Sequence, residues 1–266
     1  MADPAAALID LEAEHLALAE LVDSLTDRDW ELPTPAPGWR VRHQIAHLAY
    51  FSDAAVTALR DPEAFSSLRA RSDQDSVRYS ESVLEPYADM PGSELAGAWL
   101  DAVGRLVAAL RATDLAQRVP WYGPSMSQTS MVTARVMETW AHGQDVRDAL
   151  GLKPLESGRL VHVARLACMA RSYSYTNRLL EVPEVPVRVV LTRPAAEPWE
   201  WANTISLPTI RGPLLDFCLV LTRRRHWSSS RMVAHGQAAR EWLTIGQAYA
   251  GPPGPGRRPD EFAPWW

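Results

Sequence analysis

A glutamate and a histidine stand four residues apart in the segment Glu138-Thr139-Trp140-Ala141-His142. Residues at this spacing lie on one helical face, so a carboxylate and an imidazole can converge on a single ion. Imidazole nitrogen suits zinc and its neighbours, and a carboxylate can supply the oxygen ligand. The spacing alone is a weak indication, because such pairs also occur as solvated pairs or simple hydrogen bonds.

A third residue strengthens this interpretation. His47 lies in the apolar run Ile45-Ala46-His47-Leu48-Ala49, which predicts a position facing the interior of a helical bundle, where an imidazole needs a partner. Helical bundles build metal sites from inward side chains on facing helices. His47, Glu138 and His142 therefore form a candidate divalent-metal site, and three protein ligands leave one coordination position open for chemistry.

Two further residues leave the ligand set open. His43 stands four residues before His47 and could join or replace it, although its polar neighbours favour a partly exposed position. Asp145 follows His142 by three residues and could be a ligand, an acceptor for a ligand imidazole, or one half of a salt bridge with an arginine.

Other residues are candidates for contact with substrate. Arg135 lies one helical turn before Glu138, so it could bind a substrate carboxylate or pair with that glutamate. The residues predicted to line a ligand site are Trp39, Trp121, Tyr122 and Ser127. The alternative for the tryptophans is simple packing of loops onto the bundle. Arg224 could reach the site from the C-terminal part, although a solvated charge run is the default for its arginine-rich segment.

The elements that must position these residues are mostly helical. Apolar residues recur at helical spacing, and segments rich in proline and glycine at 30–39 and 118–124 interrupt them. The predicted helices cover residues 4–26, 40–60, 92–112, 127–150 and 156–180. Residues 63–90 are polar, which predicts an irregular connection with a short helix.

Composition changes near residues 181–186. The β-branched segment 183–191 and the alternating Trp199 and Trp201 predict strands, and 211–226 and 236–250 predict two more helices. The predicted fold class is α+β, mainly α. A four-helix bundle would occupy 1–181, and a smaller α+β domain with a tail rich in proline and glycine would occupy 182–266.

Composition also restricts the partners. The net charge of −5 argues against nucleic acid, and no apolar run has the length of a membrane span. Cys168 and Cys218 both lie in apolar runs, which predicts buried reduced thiols. No signal peptide is visible. The expectation is a cytoplasmic monomer or homodimer whose partners are small molecules.

Two segments carry a family resemblance: Pro37-Gly38-Trp39-Arg40-Val41-Arg42 leading to His47-Leu48-Ala49, and the segment from Glu138 to Val146. They resemble the mycothiol-dependent maleylpyruvate isomerase family, within the DinB-like superfamily of metal-binding four-helix bundles. Residues 216–226 and 242–254 resemble an actinobacterial subgroup of it. His43 departs from the family pattern, which has an acidic or neutral residue there.

The resemblance implies a divalent metal, usually zinc, held by His47, Glu138 and His142, with mycothiol as cosubstrate. The open metal position would receive the thiol sulfur, and the thiolate would attack a small electrophile in isomerisation or S-transfer, a reaction that fits specialised metabolism. Two alternatives stay open. One is a metal-dependent hydrolase that activates water, and the other is a non-catalytic protein that binds a small ligand.

Overall fold

The structure is a computed structural model that describes residues 4–113, 118–123, 125–202, 204 and 207–262. The chain divides into two compact units, Met1–Pro154 and Leu155–Trp266. The first is helical apart from a two-stranded ribbon, and the second combines helices with a four-stranded sheet. This confirms the predicted α+β, mainly α class. Among the described residues, no helix is both long and apolar enough to cross a bilayer.

Four long helices form the bundle of the first unit. They are α1 (Pro4–Asp23), α3 (Val41–Arg60), α6 (Gly92–Arg111) and α7 (Gln128–Ala149). Helices α1 and α3 each pack against both α6 and α7. The apolar side chains recur at helical spacing, so each helix buries one face against its neighbours. On α3 the buried apolar positions include Val41, Ile45 and Leu48.

Short helices connect the bundle. They are α2 (Asp27–Trp30), α4 (Pro62–Gln74) and α5 (Ser76–Ser82), and a 3₁₀ turn follows at Glu85–Tyr87. The prediction of one short helix within an irregular segment over 63–90 therefore falls short, since the structure has two helices there. Both helices have capped starts, because Asp61 accepts a hydrogen bond from the Ala64 amide and Asp75 accepts one from the Arg78 amide.

A short ribbon precedes the helix that carries Glu138 and His142. Strand β1 (Arg118–Val119) pairs antiparallel with β2 (Met126–Ser127). Ser127 then caps α7, since its hydroxyl oxygen accepts a hydrogen bond from the Ser130 amide. Ser127 was predicted to line a ligand site, and the structure gives it this capping contact.

The second unit has a mixed sheet in the order β4-β3-β5-β6, in which β3 and β5 are parallel and the other pairs antiparallel. Its strands are β3 (Arg188–Arg193), β4 (Ala196–Trp201), β5 (Thr209–Pro213) and β6 (Val233–His235). Its helices are α8 (Leu160–Met169), α9 (Arg171–Thr176), α10 (Leu214–Leu221) and α11 (Gln237–Ile245).

The two compact units divide between Pro154 and Leu155, before the change in composition near residues 181–186. Helices α8 and α9 belong to the second unit, whereas the sequence prediction placed them with the bundle, in 1–181. Helix α8 packs against the apolar α10, and the Cys218 thiol donates a hydrogen bond to the Leu160 carbonyl over 3.4 Å. Burial of the apolar face of α8 therefore ties it to the sheet-bearing unit.

His15 on α1 is buried in the bundle, and its ring meets Trp99 edge-on with centroids 6.4 Å apart. Burial, and secondarily the charge of Arg135, lowers the pKa of His15 from 6.5 to about 4. The neutral imidazole is therefore the form that the fold accommodates. Its contribution to stability is complete above the unfolded-state pKa and is lost as pH falls through the folded-state pKa.

We expect the free energy of unfolding to fall between pH 6.5 and pH 4, with His15 accounting for at most about 3 kcal/mol. The fall should be smaller in His15→Gln and unchanged in His235→Gln, which alters an exposed histidine. Urea denaturation at several pH values measures this. Identical pH dependence in His15→Gln and the wild type would contradict the assignment.

Candidate metal centre

Helices α3 and α7 bring His47, Glu138 and His142 together. The His142 Nε2 atom lies 3.2 Å from Glu138 Oε2, and the His47 Nε2 atom lies 3.7 Å from the same oxygen. One ligand atom from each residue lies within 4.8 Å of the other two. The side chains are 12–18% exposed, so a small molecule can still reach them.

A chain of hydrogen bonds orients His142. The Thr34 hydroxyl donates to the Trp39 carbonyl over 3.0 Å, and the Gln44 amide nitrogen donates to the Thr34 oxygen over 2.8 Å. The Gln44 carbonyl oxygen is then left to accept from His142 Nδ1 over 2.6 Å. Because a backbone carbonyl can only accept, the direction of every step is fixed, and Nδ1 carries the proton.

This leaves His142 Nε2 directed at the Glu138 carboxylate. In a neutral ring Nε2 and the carboxylate oxygen both present lone pairs at 3.2 Å, and they repel each other unless a cation lies between them. A divalent ion would satisfy this arrangement, since neutral imidazole and carboxylate are the ligand forms that zinc takes. The three donor atoms, and the hydrogen bonds that orient His142, therefore fit a divalent metal.

His47 is also in the form that a metal requires. Burial, and secondarily the nearby His142, lowers the pKa of His47 to about 4, so the ring is neutral at pH 7. The His47 ring packs closely against two neighbours, and its centroid lies 4.4 Å from the ring centroids of both His142 and Phe51. Among the described residues, its buried Nδ1 atom has no hydrogen-bond partner.

Glu138 remains ionised. Burial acts to raise the pKa of this carboxyl, but the two imidazoles and the Arg135 guanidinium lower it by more, so the pKa falls well below its usual range. Arg135 NH2 lies 4.0 Å from Glu138 Oε1, which is too long for a hydrogen bond. Arg135 Nε, also buried, has no hydrogen-bond partner among the described residues.

The two residues that left the ligand set open lie outside this cluster. His43 Nδ1 accepts the Arg40 amide hydrogen over 3.1 Å and so helps to cap the start of α3. Asp145 is 1% exposed, and the ligand cluster of the described residues does not include it. The imidazole of His142 uses Gln44, rather than Asp145, as its acceptor.

Aromatic rings surround the candidate centre. The half-buried Trp39 ring stacks on His142 with centroids 6.2 Å apart and approaches His47 to 5.4 Å. Phe51 separates His47 from Tyr122, whose ring centroid is 5.4 Å from that of Phe51. These rings exclude water from the sides of the centre and leave the ligand atoms partly accessible.

The remaining predicted site residues are dispersed. Trp121 is buried, stacks on Phe65 at 5.5 Å and lies 5.2 Å from the Arg135 guanidinium carbon. Trp121 therefore packs inside the bundle beside Arg135, and its part in ligand binding stays a prediction. Arg224 belongs to the second unit, where its NH1 group donates to the Thr222 carbonyl.

Sequence reasoning missed Gln44, Thr34 and Phe51. Gln44 appeared only as a polar neighbour of His43, although it is fully buried. A signal existed, because Gln44 precedes His47 by three residues, and a buried amide on a ligand-bearing helix needs partners. Thr34 lies in a loop whose prolines and glycine drew attention to turns rather than to its hydroxyl.

A four-helix bundle with an inward cluster of two histidines and a glutamate defines the class to which this protein belongs. A family model described as the mycothiol maleylpyruvate isomerase N-terminal domain matches residues 11–147. The chain belongs to that family, which confirms the resemblance found in the sequence. Two uncharacterized proteins of Mycobacterium tuberculosis, from strains CDC 1551 and H37Rv, are each 39% identical over 257 residues, covering 97% of this chain and 100% of theirs.

Solved structures share the fold. A crystal structure of the mycothiol-dependent maleylpyruvate isomerase aligns with a TM-score of 0.61 at 15% identity, covering 87% of this chain and 92% of the other. A histidine-to-alanine mutant of that isomerase aligns with a TM-score of 0.56 at 15% identity, covering 82% and 88%. At this identity the similarity extends to the fold alone.

Replacement of His47 and of His43 should have unequal effects. We expect His47→Gln to weaken zinc binding by at least about 100-fold, because it removes one of three proposed ligands. The zinc affinity of His43→Gln should stay within about twofold of that of the wild type, because the His43 imidazole accepts the Arg40 amide hydrogen at the start of α3. Competition with a chromogenic chelator measures both affinities. Equal losses in the two variants would contradict the ligand set.

Loss of the Gln44 amide should also weaken the metal site. In Gln44→Leu the acceptor for His142 Nδ1 is removed, so the ring can rotate or change tautomer, and we expect zinc affinity to fall about 10- to 100-fold. Gln144→Leu is a matched control, because it alters a buried glutamine on α7 that hydrogen bonds to Asp148. Unchanged affinity in Gln44→Leu would show that packing alone orients His142.

Proposed function

We propose that this protein is a metal-dependent enzyme that uses mycothiol to isomerise, or transfer sulfur to, a small electrophile. The observation that carries the proposal is the cluster of His47, Glu138 and His142, with the tautomer of His142 fixed by Gln44. Membership of the mycothiol maleylpyruvate isomerase family supports the choice of thiol and of reaction.

His47, Glu138 and His142 would hold the metal, with zinc the best match to two imidazoles and one carboxylate. A zinc ion supplies Lewis acidity, which makes a thiol ionise at neutral pH and become nucleophilic. The protein keeps the His47 imidazole neutral and the Glu138 carboxylate ionised, so these two ligands need no deprotonation at pH 7.

The surrounding residues supply positioning. Trp39 and Phe51 form aromatic walls that limit water around the cluster. Arg135 places a buried cation beside Glu138, where its charge favours the ionised carboxylate. Trp39, Phe51 and Arg135 do not accept protons at neutral pH, so a water nucleophile would gain no base from them. A thiol must also lose its proton, so the preference for a thiol over water rests on family membership.

Thiol-dependent turnover tests the proposal. We expect zinc-loaded protein to isomerise maleylpyruvate, the first electrophile to try, only when mycothiol is present, with products followed by mass spectrometry. A chelator should abolish turnover and added zinc should restore it, whereas Glu138→Gln should stay inactive with zinc.

Three outcomes separate the alternatives. Turnover of an ester or amide without any thiol would identify a hydrolase. Ligand binding without turnover, retained in Glu138→Ala, would identify a binding protein. A calorimetric titration in which mycothiol fails to bind the zinc-loaded protein would contradict the proposal itself.

A further inference from the structure

Three tyrosine hydroxyls form a hydrogen-bonded chain beside the candidate metal centre. The Tyr50 and Tyr79 oxygens are 2.8 Å apart, and the Tyr79 and Tyr122 oxygens are 2.6 Å apart. Tyr50 lies on α3, Tyr79 on α5, and Tyr122 in the loop between β1 and β2. The hydroxyl chain therefore joins three separate segments of the first unit.

This chain has more hydrogen-bonding capacity than it uses. Each phenol carries one proton, so two hydrogen bonds engage two of the three protons and leave one available. Tyr79, at the centre, is 5% exposed, whereas Tyr50 and Tyr122, at the ends, are half-buried. Tyr50 and Tyr122 are thus the phenols of this set that a ligand can reach, and the three hydroxyls together offer both donors and acceptors.

The hydroxyls are neutral at physiological pH. Burial raises the pKa of Tyr50, Tyr79 and Tyr122 above the ordinary value for tyrosine, so all three stay protonated. A neutral set that both donates and accepts matches the hydroxyl groups of a polyol. It offers neither the fixed positive charge that a phosphate prefers nor the negative charge that an amine prefers.

The position of the chain suits a ligand that also reaches the metal centre. Both Tyr50 and Tyr122 contact the Phe51 ring. The Phe51 centroid lies 5.3 Å from that of the Tyr50 ring and 5.4 Å from that of the Tyr122 ring. Phe51 in turn lies 4.4 Å from His47. A single aromatic ring thus separates the hydroxyls from the cluster where the sulfur is proposed to act.

We infer that Tyr50, Tyr79 and Tyr122 form a subsite for the polyhydroxylic, sugar portion of the thiol cosubstrate. The inference rests on the proposed function in taking mycothiol as that cosubstrate. Tyr50 and Tyr122 bind the ligand hydroxyls, and Tyr79 is a positioning residue that orients both. The same contacts also hold α5 against α3, so the test must separate ligand recognition from folding.

Calorimetric titrations with three probes make this separation. The probes are mycothiol, N-acetylcysteine amide as the thiol without sugars, and N-acetylglucosaminyl-inositol as the sugars without thiol. We expect Tyr50→Phe, Tyr79→Phe and Tyr122→Phe each to bind mycothiol and the sugar probe about five- to tenfold more weakly, because each removes a hydroxyl. Binding of N-acetylcysteine amide should change by less than about twofold.

Tyr87→Phe is the matched control, because Tyr87 is a half-buried phenol of the same unit outside the hydroxyl chain. Thermal unfolding of every variant checks that it folds, and the sugar probe is also titrated into metal-free protein. Wild-type-like binding of the sugar probe in all three variants would overturn the inference, as would an equal loss for all three probes.

The two proposals can fail separately. If the wild-type protein binds the sugar probe but mycothiol supports no turnover, the proposed reaction fails and the subsite stands. If mycothiol supports turnover but the sugar probe does not bind, the subsite fails and the reaction stands. If neither binds, both are wrong.

Discussion

The hydrogen-bond chain from the Trp39 carbonyl to His142 is the constraint on which the candidate centre depends. It begins at a group that can only accept, so Thr34, Gln44 and His142 must each donate in one direction. The imidazole thereby presents its Nε2 atom to Glu138. The bundle holds the loop of Thr34 and Trp39, α3 and α7 within hydrogen-bonding distance of one another. Burial of apolar side chains supplies the free energy that keeps them there.

Much of this arrangement could be predicted from the sequence, because it depends on local periodicity. The long helices follow from apolar spacing, and the closeness of Glu138 and His142 follows from a separation of four on one helix. The extent of helices α4 and α5 was underestimated because their sequences are polar and their aspartate caps are short local signals. The assignment of α8 and α9 to the second unit depends on the packing of α8 against α10 and of α9 against α11, which no local pattern reports.

The choice between His43 and His47 shows a second limit. The two residues share a helical face, so spacing cannot separate them. Their roles differ because α3 begins at Val41, which places His43 in the first turn, where its ring caps a backbone amide. A helix that began one turn later would have placed His47 in the first turn instead. The ligand set therefore depended on a helix boundary, the least certain feature of a sequence-based prediction.

The loop that bears Thr34 and Trp39 has a consequence for how relatives should be compared. It covers the candidate centre with an indole and, through its backbone, fixes the Nδ1 proton of His142. A homologue can keep His47, Glu138 and His142 and still lose this control if Thr34 or Gln44 diverges. Classification by the histidine and glutamate motifs alone would then group proteins whose metals are held with very different strength, whereas the pairing of Thr34 with Gln44 is a second signature that can be read in an alignment.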